Sequence, residues 1–308
     1  MRVLCLPPQA GDMEAINALS QLSGQLADAV ANGGRSLAAV HGRPHVPSTG
    51  VVWRTGVIVT TDHTLQRSED ITVTLADGQT APAVIVGRDP ATDLAVLRVE
   101  AATEAAVIAP PDSARAGSLV LALGRPDDAE AGPTASFGIL SSVSGAWRTW
   151  RGGQVDRFLR PDTTVYTGFS GGSLADTEGR VIGINTTGLT RGGAITLPAS
   201  TVERVVEELL TRGHVRGAYL GVGLHPVRVS EQQTGLIILS LEPEGPAAKA
   251  GLLLGDVLLK VNGGAVVDTE DVQSQLAAEN IGQSLPVEIL RGGRAMEIPV
   301  VPGERRHR

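Results

Sequence analysis

The chain has 308 residues, room for about two domains at roughly 150 residues apiece. With 42% hydrophobic and 19% charged residues, it has the apolar material for packed cores and too little charge to stay disordered. A net charge of −7 with no Lys- or Arg-rich segment argues against nucleic acid as a partner, and the single cysteine, Cys5, excludes an intrachain disulfide framework and any CxxC metal site.

The opening stretch has one Arg and a short apolar run before Pro7-Pro8, then acidic Asp12 and Glu14 where a signal peptide has its apolar core. No run approaches the roughly 18 apolar residues that span a bilayer. The expectation for the chain as it stands is a cytoplasmic protein without a membrane span, or a periplasmic or envelope one if an export segment is missing upstream. Residues 12–31 set Ile16, Leu19, Leu22, Leu26 and Val30 at spacings of three and four, which predicts an amphipathic helix ended by Gly33-Gly34, its stripe free to dock on a partner surface.

From Ser36 the texture changes to short β-type runs, SLAAV, GVVW, GVIVT, ITVTL, APAVIVG and LAVLRV, broken by turn signals such as Asp77-Gly78. A second series follows, SLVLALG, TASFGILSSV, RVIGIN and AITL. Two clusters of short strands without intervening helices predict two successive antiparallel barrels or sandwiches. VERVVEELLTRG then reads as a linker helix with Ser200 or Thr201 as N-cap and Gly213 as terminator. Beyond it, YLGVGL, GLIILSL, VLLKVNG and LPVEILR read as strands of a smaller domain, with a short helix DVQSQLAAE capped by Asp268 or Thr269. The expected segments are 1–35, 36–198, 199–216, 217–303 and a basic tail, 304–308.

The sharpest local feature is Gly168-Phe169-Ser170-Gly171-Gly172. Glycines around a serine let the backbone turn tightly, expose Oγ and bring N–H groups close to a substrate carbonyl. A G-x-S-x-G elbow needs a helix after the serine, but SLADTEGRVIGIN reads as strand, turn and strand, so the elbow fails. Upstream, His63 follows the apolar strand GVIVT, and Asp93 directly precedes LAVLRV. The order His63, Asp93, Ser170 is that of a chymotrypsin-type triad.

Together TTDHTL, DPATDLAVLRV, GFSGGSL and VIGINT resemble, in order and spacing, the motifs of the HtrA (high-temperature-requirement) serine proteases. The resemblance covers about residues 36–303. It includes GPAAKAGLLLGDVLLKVNG, similar to the most recognisable stretch of an HtrA-type PDZ domain, and YLGV at 219–222, similar to its carboxylate-binding loop. The implied fold is mostly β, a chymotrypsin-like double β-barrel followed by a PDZ domain. The implied activity is endopeptidase cleavage of unfolded or misfolded proteins. Ser170 would be the nucleophile, His63 the general base and then acid, Asp93 the group orienting the imidazole, and the N–H groups of Gly168 and Ser170 the oxyanion hole. No metal or cofactor is implied.

Thr164 stands where a trypsin-like enzyme would place an acidic charge, and a neutral pocket bordered by Ala194 and Ile195 favours a small or medium apolar residue before the cut. In the PDZ-like part, the N–H groups of Leu220, Gly221 and Val222 would receive the carboxylate of a C-terminal peptide, beside the helix containing Val272 and Leu276. The family pattern N-P-G-N-S-G-G-P-L is replaced here by Tyr166-Thr167-Gly168-Phe169-Ser170-Gly171-Gly172-Ser173-Leu174. A homotrimer is also implied, although the aromatic residues through which HtrA trimers interlock are missing from the N-terminal 50 residues. The rival readings are a PDZ-containing binding scaffold and a holdase, each with a weak or inactive protease domain.

Overall fold

The computed structural model describes residues 10–125, 132–190, 192–231, 233–276 and 278–304. Cys5 and residues 305–308 of the basic tail lie outside the described residues. The described chain forms two compact units, one running to Trp147 and resuming over Gln154–Gly213, the other made of Arg148–Gly153 and the chain from His214 onward.

The first unit opens with α1 (Ala10–Gly34), which runs through Gly33-Gly34 instead of stopping before them. Both glycines are buried, with Gly33 close to Leu123 and Gly34 to Pro133, so tertiary packing overrides their weak helix propensity. Farther up the helix, Leu19 and Leu22 are exposed.

A closed barrel follows, built from β1 (Leu37–His41), β2 (Ser48–Arg54), β3 (Val57–Thr61), β4 (Ile71–Thr74), β5 (Thr80–Asp89) and β6 (Leu94–Val99) in the order β1-β2-β3-β6-β5-β4. Alternation turns Val40, Val52, Ile58, Val73 and Leu97 inward, and each fully buried aliphatic side chain contributes roughly 1.5–3 kcal/mol.

The next strands are β7 (Leu119–Gly124), β8 (Thr134–Ser144), the two-residue β9 (Trp147–Arg148) and β10 (Gln154–Val155), β11 (Phe158–Asp162), β12 (Ser173–Ala175), β13 (Val181–Thr186) and β14 (Ile195–Pro198). Six of them close a second barrel in the order β11-β14-β13-β12-β7-β8, around Val120, Leu140, Leu159, Phe169 and Leu174. Strand β11 carries no sequence signal of its own. It contains Pro161, which cannot donate to a ladder, and its pairing with β8 shifts register between Arg160 and Pro161.

The helix α2 (Ala199–Arg212) corrects the expectation of a linker over 199–216. Val202, Val205, Val206 and Leu209 form a buried stripe, and the helix packs on β5, β6, β13 and β14 as part of the first unit. Its N-cap is Pro198, with no side-chain cap, so neither Ser200 nor Thr201 fills that place. The Thr201 hydroxyl instead accepts from the Asp156 N–H at 3.0 Å. Gly213 ends the helix in the left-handed region at φ +75°, its N–H donating to Leu209 O at 2.9 Å.

The second unit contains β15 (Ala218–Tyr219), β16 (Val222–Arg228), β17 (Thr234–Leu241), α3 (Pro246–Lys249), β18 (Val257–Val261), β19 (Gly264–Ala265), α4 (Thr269–Gln275), β20 (Leu285–Arg291), β21 (Arg294–Val300) and β22 (Gly303–Glu304). Its sheet runs β16-β17-β18-β20-β21, with β19 paired to β18, so β16 is an edge strand. Leu236, Ile238, Leu258, Val261, Val287 and Ile289 pack under Val272 of α4. That helix is capped by Asp268 in a capping box with Asp271. Among the described residues no helix is long and apolar enough to cross a membrane.

Candidate active site

Antiparallel pairing of β3 with β6 sets Thr61 opposite Leu94, so the chain leaving β3 and the chain entering β6 meet at one end of the first barrel. His63 lies in a 3-10 turn just after β3, and Asp93 precedes β6 in the left-handed region at φ +58°, which Asp tolerates better than most residues. Asp93 is fully buried, and three donors satisfy its carboxylate. The His63 backbone N–H reaches Oδ1 at 2.9 Å, His63 Nδ1 reaches Oδ2 at 2.7 Å, and the Thr186 hydroxyl also donates to Oδ2. A carboxylate only accepts, so Nδ1 bears the proton and the other ring nitrogen, Nε2, is free to act as a base.

Ser170 sits on the second barrel, ahead of β12, and is 7% exposed. Its loop is tied to β2 of the first barrel through one residue, the buried Thr49. The Thr49 N–H donates to Ser170 O at 3.2 Å, and its hydroxyl donates to Gly168 O at 2.8 Å while accepting the Arg125 N–H at 2.8 Å. Gly171 makes the approach feasible, because a Cβ there would stand 2.1 Å from Thr49 O. Burial pushes the guanidinium pKa of Arg125 down, and its Nε finds no acceptor among the described residues, so β7 ends in a desolvated cation beside Gly124.

The loop before Ser170 is a β-turn in which Phe169 N–H donates to Tyr166 O at 3.0 Å. Gly168 takes its third position at φ +92°, as a type II turn requires. Among the described residues neither the Gly168 nor the Ser170 N–H has an acceptor. Phe169, an unusual neighbour for such a serine, is completely buried in the second-barrel core against Gly124, and Tyr166 packs on it edge to face at 5.3 Å. The Ser170 hydroxyl is hydrogen-bonded to Thr187 Oγ1 at 3.1 Å and, among the described residues, has no bond to His63.

The expected specificity residues are less tightly drawn together. Thr164 is exposed, its carbonyl accepting from the Ser136 hydroxyl at 2.6 Å. Ala194 is half-buried, while Ile195 opens β14 at 2% exposure, opposite Thr186.

In the second unit, Leu220 O accepts from Ala247 N–H at 2.9 Å and Gly221 O from Glu242 N–H at 2.8 Å. Both carbonyls are thus occupied, Gly221 is left-handed at φ +75°, and the N–H groups of Leu220 and Gly221 have no acceptor among the described residues. Val222 then begins the edge strand β16, beside which α4 packs with Val272.

Comparison with known proteins matches the family model of a trypsin-like peptidase domain over residues 48–184 and that of a PDZ domain over 218–301. A serine endoprotease DegS of Haemophilus influenzae is 32% identical over 266 residues, covering 82% of this chain and 76% of that protein. The chain belongs to the HtrA family of serine proteases. A probable periplasmic serine endoprotease, DegP-like, of Brucella suis biovar 1 is 35% identical over 276 residues, covering 84% of this chain and 53% of that protein. The chain thus spans about half the length of that HtrA relative. Among solved structures, the HtrA-type protease AlgW with decapeptide superimposes with a TM-score of 0.72 at 26% identity, covering 92% of this chain and 99% of that one. A serine endoprotease from Yersinia pestis gives 0.71 at 29% identity, covering 91% and 98%. The mostly β fold is therefore the HtrA double barrel with a PDZ domain. The relatives overturn the cytoplasmic expectation, since the Brucella proteins are named periplasmic.

Three HtrA-site residues had no individual signal in the sequence. Thr186 was visible only as the last letter of VIGINT, and Thr49 and Thr187 not at all. Their contacts join segments distant along the chain, and threonine is common in β-strands for propensity alone.

Proposed function

We propose that this HtrA-family chain is a serine endopeptidase that cleaves unfolded or misfolded proteins in the periplasm. The observation that supports it most directly is the buried Asp93 accepting from His63 Nδ1 at 2.7 Å, with the Ser170 loop anchored to the same barrel through Thr49. The protease part corresponds to residues 36–198 completed by α2, and the peptide-binding part to 217–303.

In the reaction, Ser170 Oγ attacks the scissile carbonyl as His63 Nε2 takes its proton. The negative oxygen of the tetrahedral intermediate is received by the free N–H groups of Gly168 and Ser170. Asp93 stabilises the imidazolium, which gives its proton to the leaving amine. Water, activated by the same nitrogen, then releases the acyl group. Thr164, Ala194 and Ile195 border a pocket without charge, which suits Val, Ala or Leu before the cut. C-terminal peptides bind with their carboxylate at Leu220, Gly221 and Val222, adding as a strand to the edge of β16. The exposed Leu19 and Leu22 of α1 offer the apolar stripe for assembly into a homotrimer.

A fluorophosphonate reacts only with an activated serine, so it should label the wild type and leave Ser170→Ala unlabelled. Ser170→Ala should also lose about 10⁴-fold or more in hydrolysis of a denatured substrate. Wild-type turnover in pure Ser170→Ala protein would refute the assignment, and a cleavage map dominated by Arg and Lys would refute the pocket.

A further inference from the structure

One short segment, 186–188, touches every member of the His63–Asp93–Ser170 set. The Thr186 hydroxyl donates to Asp93 Oδ2, and the Gly188 N–H donates to Thr186 Oγ1 at 2.9 Å. Gly188 lies so close that a Cβ on it would stand 2.6 Å from Asp93 Oδ2 and 2.7 Å from His63 Nδ1. Those flanking contacts hold the segment against the first barrel. They leave Thr187 between them, its hydroxyl 3.1 Å from Ser170 Oγ.

A serine attacks only after its hydroxyl proton is directed at the base and an Oγ lone pair is directed at the carbonyl. Both donor directions of the Ser170–Thr187 bond oppose this. If Ser170 donates, the proton points at Thr187 and away from His63. If Thr187 donates, it occupies a lone pair of the attacking oxygen and lowers its nucleophilicity. Among the described residues the Ser170 hydroxyl has no other partner, so this bond defines its resting position.

We infer that Thr187 is a positioning residue that latches the nucleophile in a resting rotamer, so that each catalytic cycle begins by exchanging the Thr187 hydrogen bond for one to His63 Nε2. The inference rests on the serine-peptidase reading above. Thr187 is exposed while Ser170 is buried, so a substrate chain entering along this segment can take the Thr187 hydroxyl as a partner and release the serine at the moment of binding.

The latch is tested by the rate at which a fluorophosphonate labels the full chain between acid and alkaline pH. In that reaction Ser170 Oγ bonds to phosphorus, fluoride leaves, and the Oγ proton passes to His63. Thr187→Val and Thr187→Ala lack the hydroxyl and should label about 2- to 10-fold faster than wild type, the factor set by the net strength of one hydrogen bond. Their pH midpoint should coincide with the wild type's, because the latch competes for the serine and leaves the His63–Asp93 pair alone. Thr187→Ser should restore the slow rate. Equal or slower labelling of the Val and Ala variants, disagreement between them, a Ser variant as fast as either, or a displaced pH midpoint would each overturn the latch. Labelling of the wild type without a gain in the variants defeats the latch alone, whereas no labelling of any of these proteins defeats the peptidase reading beneath it.

Discussion

Asp93 is costly to bury, and its three donors explain why the site tolerates it. A buried carboxylate without partners carries a large desolvation cost, whereas here two N–H groups and a hydroxyl are aimed at it. Thr49 works in the same way for the oxyanion loop, serving one hydroxyl to two backbone groups. Thr49→Val would leave the Gly168 carbonyl and the Arg125 N–H without partners, at about 1–3 kcal/mol for each buried group. We expect Thr49→Val to lower kcat about 10-fold or more with a smaller change in KM, because the Gly168 N–H, as the proposed oxyanion donor, would act chiefly in the transition state. Thr49→Ser keeps the hydroxyl and should recover most of the rate. Steady-state kinetics on a short chromogenic peptide, together with a thermal melt, checks this, and an unchanged kcat in Thr49→Val would break the link from Thr49 to the oxyanion loop.

At the scale of elements, the proposed peptide site lies along β16 beside α4. Among the described residues strand β16 has one neighbour, β17, which leaves its other edge for a ligand strand. Helix α4 forms the facing wall and depends on its capping box, because so short a helix has little intrinsic stability. Peptides with an apolar last residue and a free carboxylate should bind here, and the same peptides amidated at the C-terminus should bind at least about 10-fold more weakly, since hydrogen bonds to a charged acceptor are the stronger kind. Isothermal calorimetry with the matched pair reads the difference directly, and equal affinities would remove Leu220, Gly221 and Val222 as a carboxylate site.

At the scale of the whole second unit, Asp256 is a buried carboxylate paired with Arg291. Burial pushes the Asp256 carboxyl up, but hydrogen bonds from Arg291 and the Leu253 N–H, with the guanidinium charge, outweigh it and hold it below the usual carboxylate range. Arg291 bonds both oxygens at 2.7 Å. A folded value below the unfolded one of about 3.9 means the pair's contribution is fully present above that pH and is lost as pH falls through the lowered value. Arg291→Met removes the partner, so the gap in melting temperature between wild type and variant should be widest near pH 7 and narrow once acid has protonated Asp256. Melts at neutral pH and in strong acid test it, and a gap unchanged in acid would mean that Arg291 acts through packing and its hydrogen bond to Gly251 O instead of through the charge pair.

Local pattern in the sequence was enough for the two series of short strands and the Gly213 helix stop, it narrowed the α4 cap to Asp268 or Thr269, and it set His63, Asp93 and Ser170 in order as candidates. Each of these depends on neighbours in the chain: alternation along a strand, a left-handed position after a helix, a carboxylate before a first turn, glycines around a nucleophile. Tertiary structure alone decided the rest. Strand β11 exists because β8 and β14 hold it, and α2 belongs to the barrels because its valine stripe finds their surface. Phe169, out of place in the family motif, proved to be a core anchor for the loop, since the second barrel leaves Gly124 free to receive its ring. Thr49, Thr186 and Thr187 act through single hydroxyls across closed barrels, and such contacts have no period or spacing along the chain because closing the barrels is what creates them.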